Sequence, residues 1–228
     1  MPTADLVAWQ LADSAFPSGS YTLSHGLEGY AQDRAIAAAE VPALLNDLLL
    51  HAIGPADATA LALAHQGASA EDWELVCGAD ERLHASKLTR EPRQASLRIG
   101  RQLLDVCGAV FPSAPLARLT ELVAAGETPG TQPVVVAVVS AGAGVDRGRA
   151  VTADLFAFCT SFAGAALRLR LADHRSAQTL IHGAAPAIEH ATDAALRRRR
   201  LDDIGGCAPL ADAMSARHEL AEAKLFAS

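Results

Sequence analysis

The chain has 228 residues, half of them apolar, and carries a formal charge of −7 at neutral pH. That length and apolar content sustain a full hydrophobic core and exclude a disordered chain. The acidic balance excludes a general nucleic-acid binder. Aromatic residues make up 4 %, and the apolar fraction leans on Ala and Leu, the best helix formers, so composition favours an all-α protein.

The first ten residues, MPTADLVAWQ, lack the basic and apolar regions of a signal peptide. The longest nearly apolar run, Val134 to Val145, falls short of the ~20 residues a spanning helix needs, so a cytoplasmic location without a membrane is expected. A first helix should end before a sharp turn at Phe16-Pro17-Ser18-Gly19-Ser20. A second is expected from near Thr22, with Leu23, Leu27 and Tyr30 on one seam. Gly26 and Gly29 then fall inside it at roughly 1 kcal/mol each relative to Ala. Small residues there suggest close approach of another backbone, from this chain or from a partner.

Pro42 suits the first turn of a helix carrying Leu44, Leu45, Leu48 and Leu49, with Gly54-Pro55 expected to stop it. Ser69 with Asp72 resembles a capping box for a helix through Val76, Asp80 and Leu83. Pro92 starts another helix, with Ile99, Leu103, Val106 and Val110 on one side, and Phe111-Pro112 closes it. Ser113 can cap the next, which Gly126 ends. GETPGTQP, residues 126–133, is the clearest loop. Val134 to Val139 is short and β-branched, which leaves a strand open. A buried helix is preferred, because no turn signal comes until Asp146. Thr152 is expected to cap a helix through Leu155, Cys159, Phe162 and Leu169. Asp173 caps the next, Pro186 kinks or splits it, and Pro209 opens a last helix to the chain end. The expectation is one all-α domain over residues 1–228, a compact bundle of about ten helices.

Familiar chemistry is missing. The four cysteines form no C-x-x-C pair and sit among apolar neighbours, as buried thiols do. The eight histidines form neither H-x-x-x-H nor H-E-x-x-H, so no metal site is expected. Gly19 to Gly26 lacks the Gly-Lys-Ser/Thr ending of a phosphate loop. Ser24 and His25 are adjacent and project about 100° apart on a helix, so they cannot act as nucleophile and base. No cofactor and no catalytic residue are assigned. One enzymatic alternative is a helical enzyme using His25 and Glu28, three residues apart, as acid and base.

The segment Asp13 to Glu28, DSAFPSGSYTLSHGLE, is the least generic stretch. It resembles the N-terminal signature D-S-x-F/L-P-x-G-x-Y/F-x-x-S-x-G-L-E of the urease accessory protein UreF family, matched by Asp13, Ser14, Phe16, Pro17, Gly19, Tyr21, Ser24, Gly26, Leu27 and Glu28. Ala95 to Leu104 resembles the family's A-S-x-x-x-G-R-x-L-L helix, which includes Arg101. Arg168, Leu169, Gln178 and Leu180 resemble a third block. Pro209-Leu210-Ala211-Asp212, Arg217-His218-Glu219 and Leu225-Phe226 resemble the C-terminal end. Many relatives carry a His where this chain has Gln132, so no role of that His carries over.

The resemblance implies an all-α, dimeric scaffold without catalytic activity. Such a scaffold binds UreD (also called UreH) and the GTPase UreG, and assists nickel insertion into apo-urease. It implies partner-binding roles for Phe16, Pro17, Gly19, Tyr21, Ser24, His25, Gly26, Glu28, Arg101, Arg217, His218 and Phe226. The segment from Pro209 to Ser228 carries an apolar seam that Arg217, His218 and Glu219 interrupt. It is read either as an arm that orders on UreD binding or as a last helix completing the bundle.

Overall fold

Local capping chemistry sets most of the helix boundaries in the computed structural model, which describes residues 4–227. The chain begins with α1 (Ala4–Ala12), turns through a short 3-10 segment, Ser20–Thr22, and enters α2 (Leu27–Gln32). A second 3-10 turn leads to α3 (Val41–Leu48), which continues through a π-helical segment, Leu49–Ala58, into α4 (Thr59–Ser69). Then follow α5 (Trp73–Ser86), α6 (Arg90–Val110), α7 (Ala114–Ala124), α8 (Gln132–Gly142) and α9 (Arg147–Arg168). The last elements are α10 (His174–Gly183), α11 (Ala185–Arg197), the 3-10 turn Leu201–Asp203 and α12 (Pro209–His218). No strand occurs among the described residues.

Asp72, Ser113 and Asp173 cap α5, α7 and α10, each accepting backbone N–H bonds from the first turn. Pro186 separates α10 from α11. The valines of 134–139 are helical and buried: α8 lies at the centre, packed against α4, α6, α7 and α9. Burial on all sides makes the run apolar throughout, which removes the periodicity that would have named it.

Four expectations need correction. Gly54-Pro55 does not stop the helix. The backbone widens into the π segment, where Gly54 lies against Ala191 of α11 and the Thr59 hydroxyl donates to its carbonyl at 3.1 Å. Tertiary packing here outweighs a breaker dipeptide. The second helix starts at Leu27 rather than near Thr22, because Gly19 and Gly26 both take φ of 84° and cap separate short elements. Thr152 lies inside α9, its hydroxyl bonded to the Gly148 carbonyl at 3.0 Å, while Asp146 caps the helix through Arg149 N–H at 3.1 Å. The last helix ends at His218, and residues 219–227 form a strap laid back on the bundle; Ser228 lies outside the described residues.

Two helical stretches, Ala38–Ser69 and Arg147–Arg168, are long and apolar enough to cross a membrane by length and composition, which the run at 134–145 alone does not reveal. In the first, 72 % of the apolar window is buried inside the bundle, as in the core helix of a globular domain.

Candidate functional site

The distinctive N-terminal segment folds into a joint. Its turn needs residues that accept positive φ: Gly19, Gly26 and His25, the last at 54°. Phe16 is buried and stacks on Phe111 with ring centroids 6.3 Å apart, fixing the turn to the end of α6. Gly29 permits a close crossing, since a Cβ there would sit 2.6 Å from the Met214 carbonyl oxygen of α12. The backbone approach inferred from the glycines is therefore intramolecular at Gly29.

Glu28 is the centre of this joint. Buried on α2, its carboxylate accepts the N–H groups of Leu225 at 2.8 Å and Phe226 at 2.9 Å, and meets His218 Nε2 at 2.9 Å. His218 Nδ1 meets Glu91 of α6 at 2.7 Å, and Lys224 donates to Glu91 at 2.7 Å. Burial pushes the Glu91 carboxyl up, but the bonds and charges of His218 and Lys224 outweigh it and hold the group below its ordinary range. Ala227 N–H closes the strap onto the Thr22 carbonyl at 2.9 Å. At the end of α9, the Arg168 guanidinium lies 4.0 Å from the Tyr21 ring centroid and 4.2 Å from that of Phe226, a cation held between two rings.

His25 points elsewhere. Its Nε2 pairs with Ser161 Oγ at 2.9 Å and its ring meets Phe158 edge-on. Burial lowers it to about 4, with Lys87 and Arg168 adding charge repulsion. The structure thus separates His25 from Glu28, which is committed to His218 and the strap, and the acid–base pair is not assembled.

Behind the joint lies a cavity of about 710 Å3. Apolar walls such as Leu23, Ile99 and Val136 enclose a polar centre of Asp57, Lys87, Gln132 and Asp154. Lys87 pairs with Asp57 at 2.7 Å. Asp154 receives the Gln132 amide at 2.6 Å. Its carboxyl is pushed up to about 7 by burial, with Asp57 adding to the shift and the Gln132 bond and Lys87 opposing it. Burial pushes the Cys107 and Cys159 thiols up to about 12, so both are unreactive core groups. Among the described residues, no group of three or more His, Cys, Asp or Glu side chains is placed to hold a metal ion.

The partner-binding candidates fall into two sets. Pro17, Gly19, Tyr21, Arg101 and Arg217 are exposed, and Arg217 pairs with Asp33. Phe16, Ser24, Glu28, His218 and Phe226 are buried, while His25 and Gly26 are half-buried. The joint brings the N-terminal and C-terminal candidates together; Arg101 stands apart on α6. Sequence reasoning missed Glu91 and Lys224 as members, and gave Arg168 no role beyond its match. The signal for Arg168 was its place in a matched block, with Tyr21 and Phe226 in two other matched blocks.

The UreF family model matches residues 36–185. A urease accessory protein UreF from Trichodesmium erythraeum (strain IMS101) is 32 % identical over 98 % of this chain and 96 % of its own length. One from Paenarthrobacter aurescens (strain TC1) is 32 % identical over 99 % of each chain. A urease accessory protein UreF 2 from Brucella canis (strain ATCC 23365 / NCTC 10854 / RM-666) is 30 % identical over 95 % of this chain and 89 % of its own. These relatives are accessory proteins rather than enzymes. With the family match covering well over half the chain, and with relatives this similar along its whole length, the chain belongs to the UreF family of urease accessory proteins.

Proposed function

We propose that this chain is a non-catalytic scaffold in urease maturation. It docks UreD/UreH and the GTPase UreG as a cytoplasmic homodimer and assists nickel insertion into apo-urease. The observation that carries this reading is the joint. Residues at the two ends of the chain that match the family converge on Glu28 and His218, and Pro17, Gly19, Tyr21 and Arg217 among them are exposed. The buried members hold the shape of that surface and the exposed members meet the partner. A shared, preformed surface built on a rigid bundle suits a docking role better than a reaction site.

Co-purification with UreD and UreG from the same genome tests the reading. Tyr21→Ala combined with Arg217→Ala should abolish capture of UreD while the melting temperature stays within a degree or two, about what surface changes of this kind cost. Undiminished capture by the double variant places the partner elsewhere. Light scattering at tens of micromolar should report a dimer, and a strict monomer counts against the dimeric form. Calorimetric titration of the tag-free chain should show weak nickel binding without defined stoichiometry; one tight site per chain would make it a nickel carrier instead.

A further inference from the structure

The lining of the cavity is unequally charged. Four carboxylates, Asp13, Asp57, Asp154 and Asp212, stand against two cations, Lys87 and Arg168, and His25 is neutral at pH 7. Both cations are engaged. Lys87 Nζ donates to Asp57 Oδ1 at 2.7 Å. Arg168 Nε donates to the Gly164 carbonyl at 3.2 Å, and its guanidinium lies between the Tyr21 and Phe226 rings. Of the acids, Asp13 accepts the N–H of Ala15 at 2.8 Å within its own turn. At Asp212, on α12, the Ala208 backbone opposes the upward push of burial.

Asp154 is the acid left short. Among the described residues its one hydrogen bond is the Gln132 amide at 2.6 Å, received by Oδ1, so Oδ2 has no protein partner. The carboxyl lies deep enough for burial to dominate its ionisation, yet it keeps accessible surface, because that surface faces the cavity. Lys87 reaches it through charge alone and is committed to Asp57, which repels it.

The walls supply the rest of a site. Leu23, Ile99, Val136 and Phe158 give it apolar faces. Its volume of about 710 Å3 suits a small organic molecule. Exposed lining at Tyr21, Leu88 and Cys207 gives direct entry, so no segment has to move. A divalent metal is a poor occupant. It needs several ligands to replace its hydration shell, and no set of three donors is placed for one among the described residues. An organic monocation needs only one carboxylate for its head and an apolar wall for its body.

We propose that the cavity is a binding site for a small primary ammonium compound with an apolar body. The head bonds Asp154 Oδ2, and the body lies against the Leu23, Ile99 and Val136 wall. The Lys87–Asp57 pair is the same contact made within the chain, in the same cavity. Asp154 is already desolvated by folding, so an entering cation meets a carboxylate in a low dielectric without having to dehydrate it. An anion would meet the excess of carboxylates, and a neutral ligand would leave Oδ2 without a counter-charge. This goes beyond the docking role and requires no partner protein.

Three probes of one length that differ in head charge test it. Full-length protein at pH 8, where Asp154 with its value of about 7 is mostly ionised, is titrated calorimetrically with hexylammonium, 1-hexanol and hexanoate. Hexylammonium should bind once per chain and about tenfold more tightly than either other probe, as a charge-assisted bond to a buried carboxylate implies. Asp154→Asn keeps an oxygen for the Gln132 amide, and it should weaken hexylammonium about tenfold while leaving 1-hexanol unchanged. Asp105→Asn, at an exposed carboxylate of α6 outside the cavity, should change nothing. Equal affinities for the three probes overturn the proposal, and so does full hexylammonium affinity in Asp154→Asn. An equal loss in Asp105→Asn overturns it too, since the attraction then comes from the net negative charge of the chain. Displacement of hexylammonium by equimolar magnesium or nickel overturns it in favour of an inorganic cation site. Since no partner enters the assay, its outcome is separate from that of the docking reading.

Discussion

Asp80 and Glu28 are both buried carboxylates that tie irregular backbone to the bundle, yet they do it in opposite ways. Asp80 is fully buried on α5 and takes neutral donors from one short stretch: Thr128 Oγ1 and Gly130 N at 2.6 Å, and Thr131 N at 2.8 Å. That loop is pressed so close to α6 that a Cβ on Gly100 would fall 1.9 Å from the Gly130 carbonyl oxygen. Glu28 instead collects donors from a histidine ring and from the strap, both far along the chain, and shares the histidine with a second carboxylate. The first arrangement clamps a single loop, 48 to 51 residues along the chain, without a counter-charge. The second is a charged knot between distant segments. A clamp of the first kind opens only when the core opens. A knot of the second kind loosens when any one of its charges is removed.

Asp80→Ala is the strongest way to break the comparison. It leaves several buried donors of the 126–131 loop without an acceptor, and a loss of about 4 kcal/mol in denaturant unfolding is expected. A cost under about 1 kcal/mol would show that the loop is held by packing alone. His218→Ala should follow at about 3 kcal/mol, since Glu28 and Glu91 then face a void without their shared partner. Its signature is local, with hydrogen exchange rising first in residues 223–227 and staying slow in residues 126–131.

Acid sharpens the same contrast. Glu91 is held below its ordinary range, so its contribution is complete above that range and is lost as pH falls through the lowered value. The strap should therefore loosen as pH falls through that lowered value, and Glu91→Gln should remove this acid response.

Asp154 provides a third case, a carboxyl with an amide donor and no cation of its own. Raised to about 7, it is protonated more readily in the folded chain than in the unfolded one. Its ionisation thus lowers stability as pH rises from the ordinary carboxylate range toward 7. Asp154→Asn should stabilise the protein by about 2 kcal/mol at pH 8, after allowance for solvent in the cavity, and by almost nothing at pH 4. Thermal melts at the two pH values decide this, and an equal effect at both would rule out a titrating Asp154. The smallest effect belongs to Arg217→Ala. Its ion pair with Asp33 is exposed, with 67 % and 36 % of the two side chains accessible, so about 0.5 kcal/mol or less of stability is at stake. Its consequence should appear in partner capture instead.

The candidate site was legible at its ends and illegible at its centre. The segment 13–28 and the Arg217-His218-Glu219 triplet stand out as patterns, and both belong to the joint. Nothing local marks Glu91, whose partner His218 lies 127 residues away, or shows that Glu28 meets the same ring from 190 residues away. Nor did the pattern separate the exposed members, such as Tyr21, from the buried ones, such as Ser24 and Phe226.

The amino-acid sequence by itself determined the helical class, the family, and those boundaries where a side chain caps its own helix, as at Ser113 and Asp173. These depend on interactions within a few residues, which a linear pattern records. The tertiary structure alone decided that the helix runs through Pro55, that Gly26 caps a helix instead of lying within one, and that the strap folds back onto Glu28. At Pro55 and at the strap a contact from a remote segment outweighs a local preference of roughly 1–3 kcal/mol, and no pattern along the chain carries the energy of a contact that exists only once the chain has folded.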